Sequence, residues 1–405
     1  MQKFTGYTLT LLIGLLISCT ESPKKEVEVL HLIDSPSGKN SSLPNLFSNG
    51  DKLLMSWVEM REDTLASLQY AKLKGGEWQP SHQILQGNDW FVNWADFPMI
   101  VENKGHLLSH VLKKSSPDTY SYDVKVNVLP KGSKSWTINL PLHTDGTLTE
   151  HGFVSAVPYE NNSFFITWLD GRNTGEKADG SRGAMTLRAA ILSERGEVRE
   201  ETLLDIRTCD CCQTTAAITT NGPVVIYRDR SEEEIRDMSI VRQVAGKWTA
   251  PKTIYNDNWK INGCPVNGPK VASLRNNLAV AWFTAAGDQA KVNLVFSNDG
   301  GEHFGPPIQV DEADAIGRVD VVLLNADTAI VSWMESKNSR AQLKAVKITS
   351  SGKKSESIII AQMEGSRKTG FPQMELLGDK AYFAWTDVSK DGSKIKIAYV
   401  LLDHF

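Results

Sequence analysis

The sequence predicts an all-β fold, a β-propeller of four-stranded blades, with seven blades as the reading and six as the alternative. Three observations carry this. One phrase recurs, an apolar strand ending in an aromatic residue with an acid two places on, as in Leu53-Leu54-Met55-Ser56-Trp57-Val58-Glu59, Phe165-Ile166-Thr167-Trp168-Leu169-Asp170 and Val331-Ser332-Trp333-Met334-Glu335. Its anchors fall at 57, 110, 168, 227, 282, 333 and 385, which are 51 to 59 residues apart, and a period of that size built from short strands marks propeller blades. Each interval divides into short runs rich in Val, Ile, Leu and aromatic residues, punctuated by Gly, Asn, Asp and Ser turns.

The elements follow in order. The first repeat places strands at 43–47, 52–57, 67–73 and 82–85, and the second at 97–101, 106–112, 124–129 and 137–140. Its anchor, His110, is the weakest copy of the phrase, which is why six blades stays open. The third uses 153–157, 164–168, 186–191 and 198–203, and the fourth 214–218, 223–227, 239–244 and 252–254. The fifth uses 270–274, 278–282, 291–296 and 308–310, and the sixth 319–324, 329–333, 343–348 and 357–360. The last has three runs, 373–377, 381–385 and 394–401, and its missing outer strand is supplied by 27–33. That closure leaves no unpaired edge between first and last blades.

Bulk properties exclude some functions. The chain has 405 residues and a formal charge of −4, so a nucleic-acid partner, which needs a basic surface, is not expected. The N-terminus reads as an address: Lys3, an apolar stretch, then Leu16-Ile17-Ser18-Cys19. The ending resembles the lipobox of bacterial lipoproteins. That resemblance implies a signal peptide over 1–18, a lipid on Cys19, a polar tether to residue 28 and one propeller domain over 29–405. It places the protein at the bacterial cell envelope, in the outer membrane, held to it by the lipid alone.

A second motif sits between the third and fourth strands of the fifth repeat: Ser297-Asn298-Asp299-Gly300-Gly301-Glu302-His303-Phe304. It resembles the Asp box of sialidase-like (BNR-repeat) propellers, with degenerate copies at Gly75-Gly76-Glu77-Trp78 and Gly246-Lys247-Trp248. The acid and hydroxyl cap turn amides, glycine takes a positive φ, and the aromatic packs on the blade edge. The resemblance implies a glycan-directed protein, either a divergent exo-α-sialidase-like glycoside hydrolase or a carbohydrate binder. Sialidases hold a substrate carboxylate with three arginines, use a Tyr–Glu pair as nucleophile and an Asp as acid/base. Planar guanidinium groups suit that work because they bind carboxylates bidentately. Arg172, Arg230, Arg318 and Arg367 are the candidates here, with Asp170 and Tyr255; no Arg-Ile-Pro motif opens the propeller. The plainer reading of each arginine is an ion pair with a neighbouring acid, as in Asp170 with Arg172.

Loops that enter the inner strand and leave the second strand of each blade share one face, and polar groups on such loops are where sites lie. Trp90, Trp94 and Trp259 belong to these loops, with Asp96, and are candidates for stacking on sugar or for packing beneath the loops. The sharpest local signal is Cys209-x-Cys211-Cys212 entering the fourth repeat and Cys264 entering the fifth. Equivalent positions in adjacent blades bring them together. Two chemistries fit: disulfides stapling the blades, or a copper or zinc site with His143 or His151 as a further ligand. The second would make the protein a metal-handling or redox lipoprotein. A third function class is a scaffold presenting its face to another envelope protein.

Overall fold

The computed structural model describes residues 1–2, 29–62, 64–176, 180, 182–337 and 340–405. Cys19 and the leader and tether of the sequence reading lie outside the described residues. Seven antiparallel sheets make seven blades. Blade 1 is built from Ser41–Ser48, Leu53–Met60, Ala66–Lys74 and His82–Gly87, and blade 2 from Ile100–Asn103, His106–Lys114, Tyr122–Leu129 and Thr137–Pro141. Blade 3 uses His151–Pro158, Phe164–Asp170, Thr186–Leu192 and Val198–Asp205; blade 4 uses Thr215–Thr219, Gly222–Arg228, Met238–Val244 and Lys252–Thr253. Blade 5 uses Lys270–Leu274, Asn277–Thr284, Lys291–Ser297 and Ile308–Gln309, and blade 6 Asp314–Asn325, Thr328–Lys337, Arg340–Thr349 and Ile358–Met363. Blade 7 has Gln373–Leu377, Lys380–Ser389 and Gly392–Leu401, and takes Leu30–Ile33 as its outer strand. The inner strand of blade 2 starts three residues later than the sequence suggests, because Pro98 has no amide to give the ladder.

The recurring phrase has a physical cause. Period-two alternation puts the aromatic residue and the acid two places on over the same face of the strand. There the indole donates to the carboxylate: Trp57 Nε1 to Glu59 Oε1 at 2.8 Å, Trp168 Nε1 to Asp170 Oδ2 at 2.9 Å, and Trp333 Nε1 to Glu335 Oε2 at 2.9 Å. In blade 5 the acid comes from the preceding loop, with Trp282 Nε1 donating to Asp257 Oδ2 at 2.6 Å. Each of these four indoles lies in an inter-blade core with 0% exposure, so its N–H needs a partner. His110 fills the same place in blade 2. It is buried, and burial pushes its imidazole down to about 3, so it packs as a neutral ring.

The turn at 297–304 is built as its residues dictate. Ser297 Oγ donates to Asp299 Oδ1 (2.8 Å), accepts from Gly301 N (3.0 Å), and Asp299 Oδ1 accepts from His303 N (3.0 Å). A Cβ on Gly301, at φ +84°, would lie 2.6 Å from Ile240 Cδ1 in the next blade, which ties the turn to the blade interface.

The inner strands of blades 1, 3 and 6 each carry a bulge, with register breaks at Ser42/Asn45, Gly152/Ser155 and Gly317/Asp320. The bulged residues Leu43, Phe153 and Arg318 have φ of +58°, +52° and +52°. A bulge re-aims a side chain, and these three sit at the loop-bearing end of the blades.

Candidate functional site on the loop face

Three hollows run into one another across this face. The middle one, about 390 Å³, is lined by Trp94, Tyr120, Tyr122, Glu150, Asp210, Cys211, Cys264 and Arg367 among others. Trp94 also walls a neighbouring hollow of about 680 Å³ that carries Arg61, Lys368 and Lys390. Tyr120, Glu150 and Asp210 also wall another of about 570 Å³ that carries Arg182 and Arg230. The result is a groove whose one flank carries Arg61, Lys368 and Lys390 beside Glu62, and whose other flank mixes Arg182 and Arg230 with Asp118, Glu150 and Asp210.

Glu150 is the chemically distinctive group of the centre. Its backbone is pinned, because Gly171 N donates to its carbonyl at 2.8 Å and Tyr122 N donates to the adjacent Thr149 carbonyl at 3.1 Å. Tyr122 Oη donates to Glu150 Oε1 at 2.5 Å, and the Tyr122 ring stacks on Phe91 with centroids 4.3 Å apart. Burial pushes the Glu150 carboxyl up to about 7, against the hydrogen bond from Tyr122 and with help from the Asp210 charge. Beneath lies Asp96, 2% exposed, whose Oδ1 accepts from Phe153 N at 2.8 Å. Burial raises Asp96 well above the usual carboxylate range. It packs so closely that a Cβ on Gly152 would lie 2.0 Å from Asp96 Oδ2.

His143 and His151 belong to the support of this centre, away from the thiols. Their rings stack with centroids 3.8 Å apart. His143 Nδ1 donates to Asp145 Oδ2 at 2.7 Å while its Nε2 accepts from Val124 N at 3.3 Å. His151 Nδ1 faces the carbonyls of Tyr122 (3.3 Å) and Thr149 (3.2 Å), and so ties together the two segments that carry Tyr122 and Glu150. Burial lowers His143, and the nearby His151 adds to that, so it stays neutral. Burial alone would raise Asp145, but hydrogen bonds from Thr147 and the His151 and His143 rings hold it well below its ordinary value.

The arginines divide by what they already hold. Arg172 is committed to structure: Nε and Nη2 clamp the Asp170 carboxylate, each at 2.7 Å, and Glu201 lies 3.0 Å away. Asp170, fully buried, also accepts the Trp168 indole, so the plainer ion-pair reading describes this couple. Arg318 is 5% exposed and gives its donors to Thr369 Oγ1 (2.6 Å) and the carbonyls of Gly370 (2.9 Å) and Ser366 (3.0 Å). Its guanidinium lies 5.0 Å from the Trp94 ring centre and props that ring from below. Burial, with the charge of Arg367, lowers Arg318 to about 10. Arg230 faces the outer hollow and pairs with Glu234 (2.7 Å) and Asp210 (3.1 Å). Arg367 lies 5.7 Å from the Trp94 ring centre and opens on the central hollow. No ion pair among the described residues involves it.

Among the aromatic candidates only Trp94 reaches the groove. Trp259 is a correction: it is 7% exposed, buried between Phe283 and the guanidinium of Arg228. Arg228 itself is buried and donates to the carbonyls of Asn267, Arg236 and Phe283, so the loop at 255–267 folds onto the blade rather than over the channel. Trp90 packs into the core between blades 1 and 2. Tyr255 is 44% exposed, rests on the Trp282 ring and lines none of the three hollows of the groove. The residues that sequence reasoning missed as a unit are Tyr122 and Glu150, which lie 28 positions apart on adjacent blades.

The four cysteines do converge. Cys209 Sγ lies 3.6 Å from Cys212 Sγ and 4.0 Å from Cys211 Sγ, and Cys264, from the loop entering the next blade, lines the same hollow as Cys211. All four are free thiols.

The seven sheets define a seven-bladed β-propeller, and solved structures resemble the chain in fold. A polysaccharide lyase described as an ulvan lyase of family PL25 is similar over 92% of this chain and 96% of its own, with a TM-score of 0.56 and 10% identity. The polysaccharide lyase Uly1 is similar over 89% and 90%, with a TM-score of 0.50 and 9% identity. The NanB sialidase of Streptococcus pneumoniae gives a TM-score of 0.45 at 12% identity, over 93% of this chain and 71% of its own. No protein-family model matches the chain, and no curated protein matches it in sequence.

Proposed function

We propose that the groove binds an acidic polysaccharide and that Glu150 protonates the glycosidic oxygen of the bond being broken. One observation carries this: a carboxyl raised to about 7 stands in the central hollow of a groove that presents Arg367 beside it and Arg61, Lys368 and Lys390 on the adjoining flank. A carboxyl that is protonated near neutral pH can act as general acid. The cationic flank and Arg367 suit a carboxylate-bearing chain. Trp94, held by Phe371 and the Arg318 guanidinium, brings a fixed aromatic edge to the groove against which a sugar ring can pack. The PL25 lyase of the same fold, solved bound to -[GlcA(1-4)Rha3S]-, supports an acidic glycan as the ligand class. Asp210, in the same hollow, is the carboxylate that would take a proton from the water that bonds to the anomeric carbon as the glycosidic bond breaks and the leaving oxygen takes the Glu150 proton.

Incubation with uronate-containing polysaccharides, neutral polysaccharides and a fluorogenic sialoside tests the reading. Binding and new chain ends are expected with the uronate polymers alone. Arg367→Ala and Trp94→Ala are each expected to weaken binding by about tenfold or more. Equal binding of neutral and acidic polymers, or no effect of either substitution, refutes it.

The lipobox-like ending supports a second proposal, a lipid on Cys19 that holds the propeller at the envelope. Cys19→Ser is expected to move the protein from the membrane to the soluble fraction; continued membrane association of the variant at unchanged mass excludes lipidation there.

A further inference from the structure

We propose that Cys209, Cys211, Cys212 and Cys264 bind one thiophilic metal ion, zinc(II) or copper(I), in the wall of the groove. This does not rest on the glycan reading.

Geometry comes first. Thiolates around one metal at about 2.3 Å in a tetrahedron stand about 3.8 Å apart, whereas a disulfide needs about 2.05 Å. The observed separations of 3.6 and 4.0 Å bracket the metal value, and the ligand atoms of Cys209, Cys211 and Cys212 all lie within 4.8 Å of one another. One short turn supplies three sulfurs. Its approach is fixed by the ladder, with Thr208 N donating to the Met185 carbonyl at 2.9 Å and Cys209 N to the Arg228 carbonyl at 3.1 Å. The fourth sulfur arrives from blade 5 and is the exposed one, so the site has an entry path from the groove.

The surroundings favour a bound metal over disulfides. Three or four thiolates around Zn²⁺ or Cu⁺ leave a net negative centre, which a buried site must offset. Arg236 is 3% exposed and points Nη1 at Cys209 Sγ from 3.2 Å, with Nη2 on Glu234 at 2.8 Å. Its Nε is buried without a partner. A guanidinium aimed at a metal-bound thiolate is a good outer-shell contact. Aimed at a neutral disulfide sulfur, its Nη1 would have no charge to answer, and Glu234 would be its one anionic partner. Thiolate donors select soft or borderline ions, which excludes calcium and magnesium.

The test uses the full chain, purified under reductant, then freed of reductant and oxygen. Zn²⁺, and separately Cu⁺ supplied as its acetonitrile complex, are added and the bound ion is counted. One equivalent per chain is expected, with the thiols of the cluster shielded from alkylation until a chelator is added. Co²⁺ in the same site is expected to show thiolate charge-transfer bands and tetrahedral ligand-field bands. Cys264→Ser, at an exposed position where folding is not at stake, is expected to weaken Zn²⁺ binding by at least about tenfold and to blue-shift the cobalt bands as sulfur is lost. Tighter retention of Zn²⁺ or of Cu⁺ says which ion the site selects. A protein that binds neither ion with its thiols reduced overturns the proposal. So does one isolated two hydrogens light per cysteine pair that regains no metal site on reduction, or a Cys264→Ser variant with unchanged affinity and spectrum.

Discussion

Deleting Leu30–Ile33 is expected to turn a stable ring into an aggregating chain. The segment pairs antiparallel with the last strand in the register Leu30↔Val400, His31↔Tyr399, Leu32↔Ala398 and Ile33↔Ile397. Among the described residues it is the one outer strand of blade 7. Without it the ten-residue strand Gly392–Leu401 has a bare edge that alternates apolar residues, a template for pairing with other chains. Packing is lost too: Leu30 lies on the core between blades 6 and 7, Ile33 on that between blades 7 and 1, and His31 stacks on Tyr399 with centroids 4.8 Å apart. Burial of two aliphatic side chains contributes about 3–6 kcal/mol at most, and the ladder bonds add to it. That is a large part of the roughly 5–15 kcal/mol by which a domain is stable. The control is deletion of residues 20–26, which lie outside the described residues and upstream of the pairing. Thermal unfolding and size-exclusion chromatography of both variants decide. Equal midpoints and equal monomer recovery would sink the closure argument.

The ring was readable because its signals are local or periodic. The indole-to-carboxylate contact needs residues two apart, so it prints directly into the sequence at Trp57, Trp168 and Trp333. His110 blurs one copy, since a neutral buried imidazole fills the space an indole fills elsewhere. The convergence of the cysteines was also readable, because equivalent loops of adjacent blades must meet. The site centre was not. Tyr122 opens a third strand and Glu150 closes a loop, and only the packing of blade 2 on blade 3 joins them. Nor does sequence reveal which arginines are already committed. Arg172 and Arg367 look alike in loops, yet one clamps Asp170 and the other opens on the groove. Trp259 and Trp94 differ for the same kind of reason: one loop folds down over Arg228, while the other ring is propped up by Arg318.

Glu150→Gln is expected to lower glycan cleavage by about 10²- to 10⁴-fold, the usual contribution of a positioned proton donor, while raising stability at alkaline pH. The two effects have one cause. Burial lifts the carboxyl from 4.5 to about 7, so the folded state holds a proton that the unfolded chain has released between those values. Stability tied to this group is therefore full below about pH 4.5 and is lost as pH rises through about 7. By then the ionised, buried Glu150 costs on the order of 3 kcal/mol. Glutamine keeps the shape and removes that cost, so its melting temperature should exceed that of the parent at pH 8 and match it near pH 4. The parent's activity should fall on the alkaline side of about 7, as the acid loses its proton. Tyr122→Phe removes the hydrogen bond that favours the carboxylate, and should move that limb to higher pH. A merely structural Glu150 would behave differently: glutamine would still bring the alkaline stabilisation but would leave the pH profile of activity in place. Turnover by Glu150→Gln within a few fold of the parent, or activity that climbs through pH 7, would remove Glu150 from the role of proton donor.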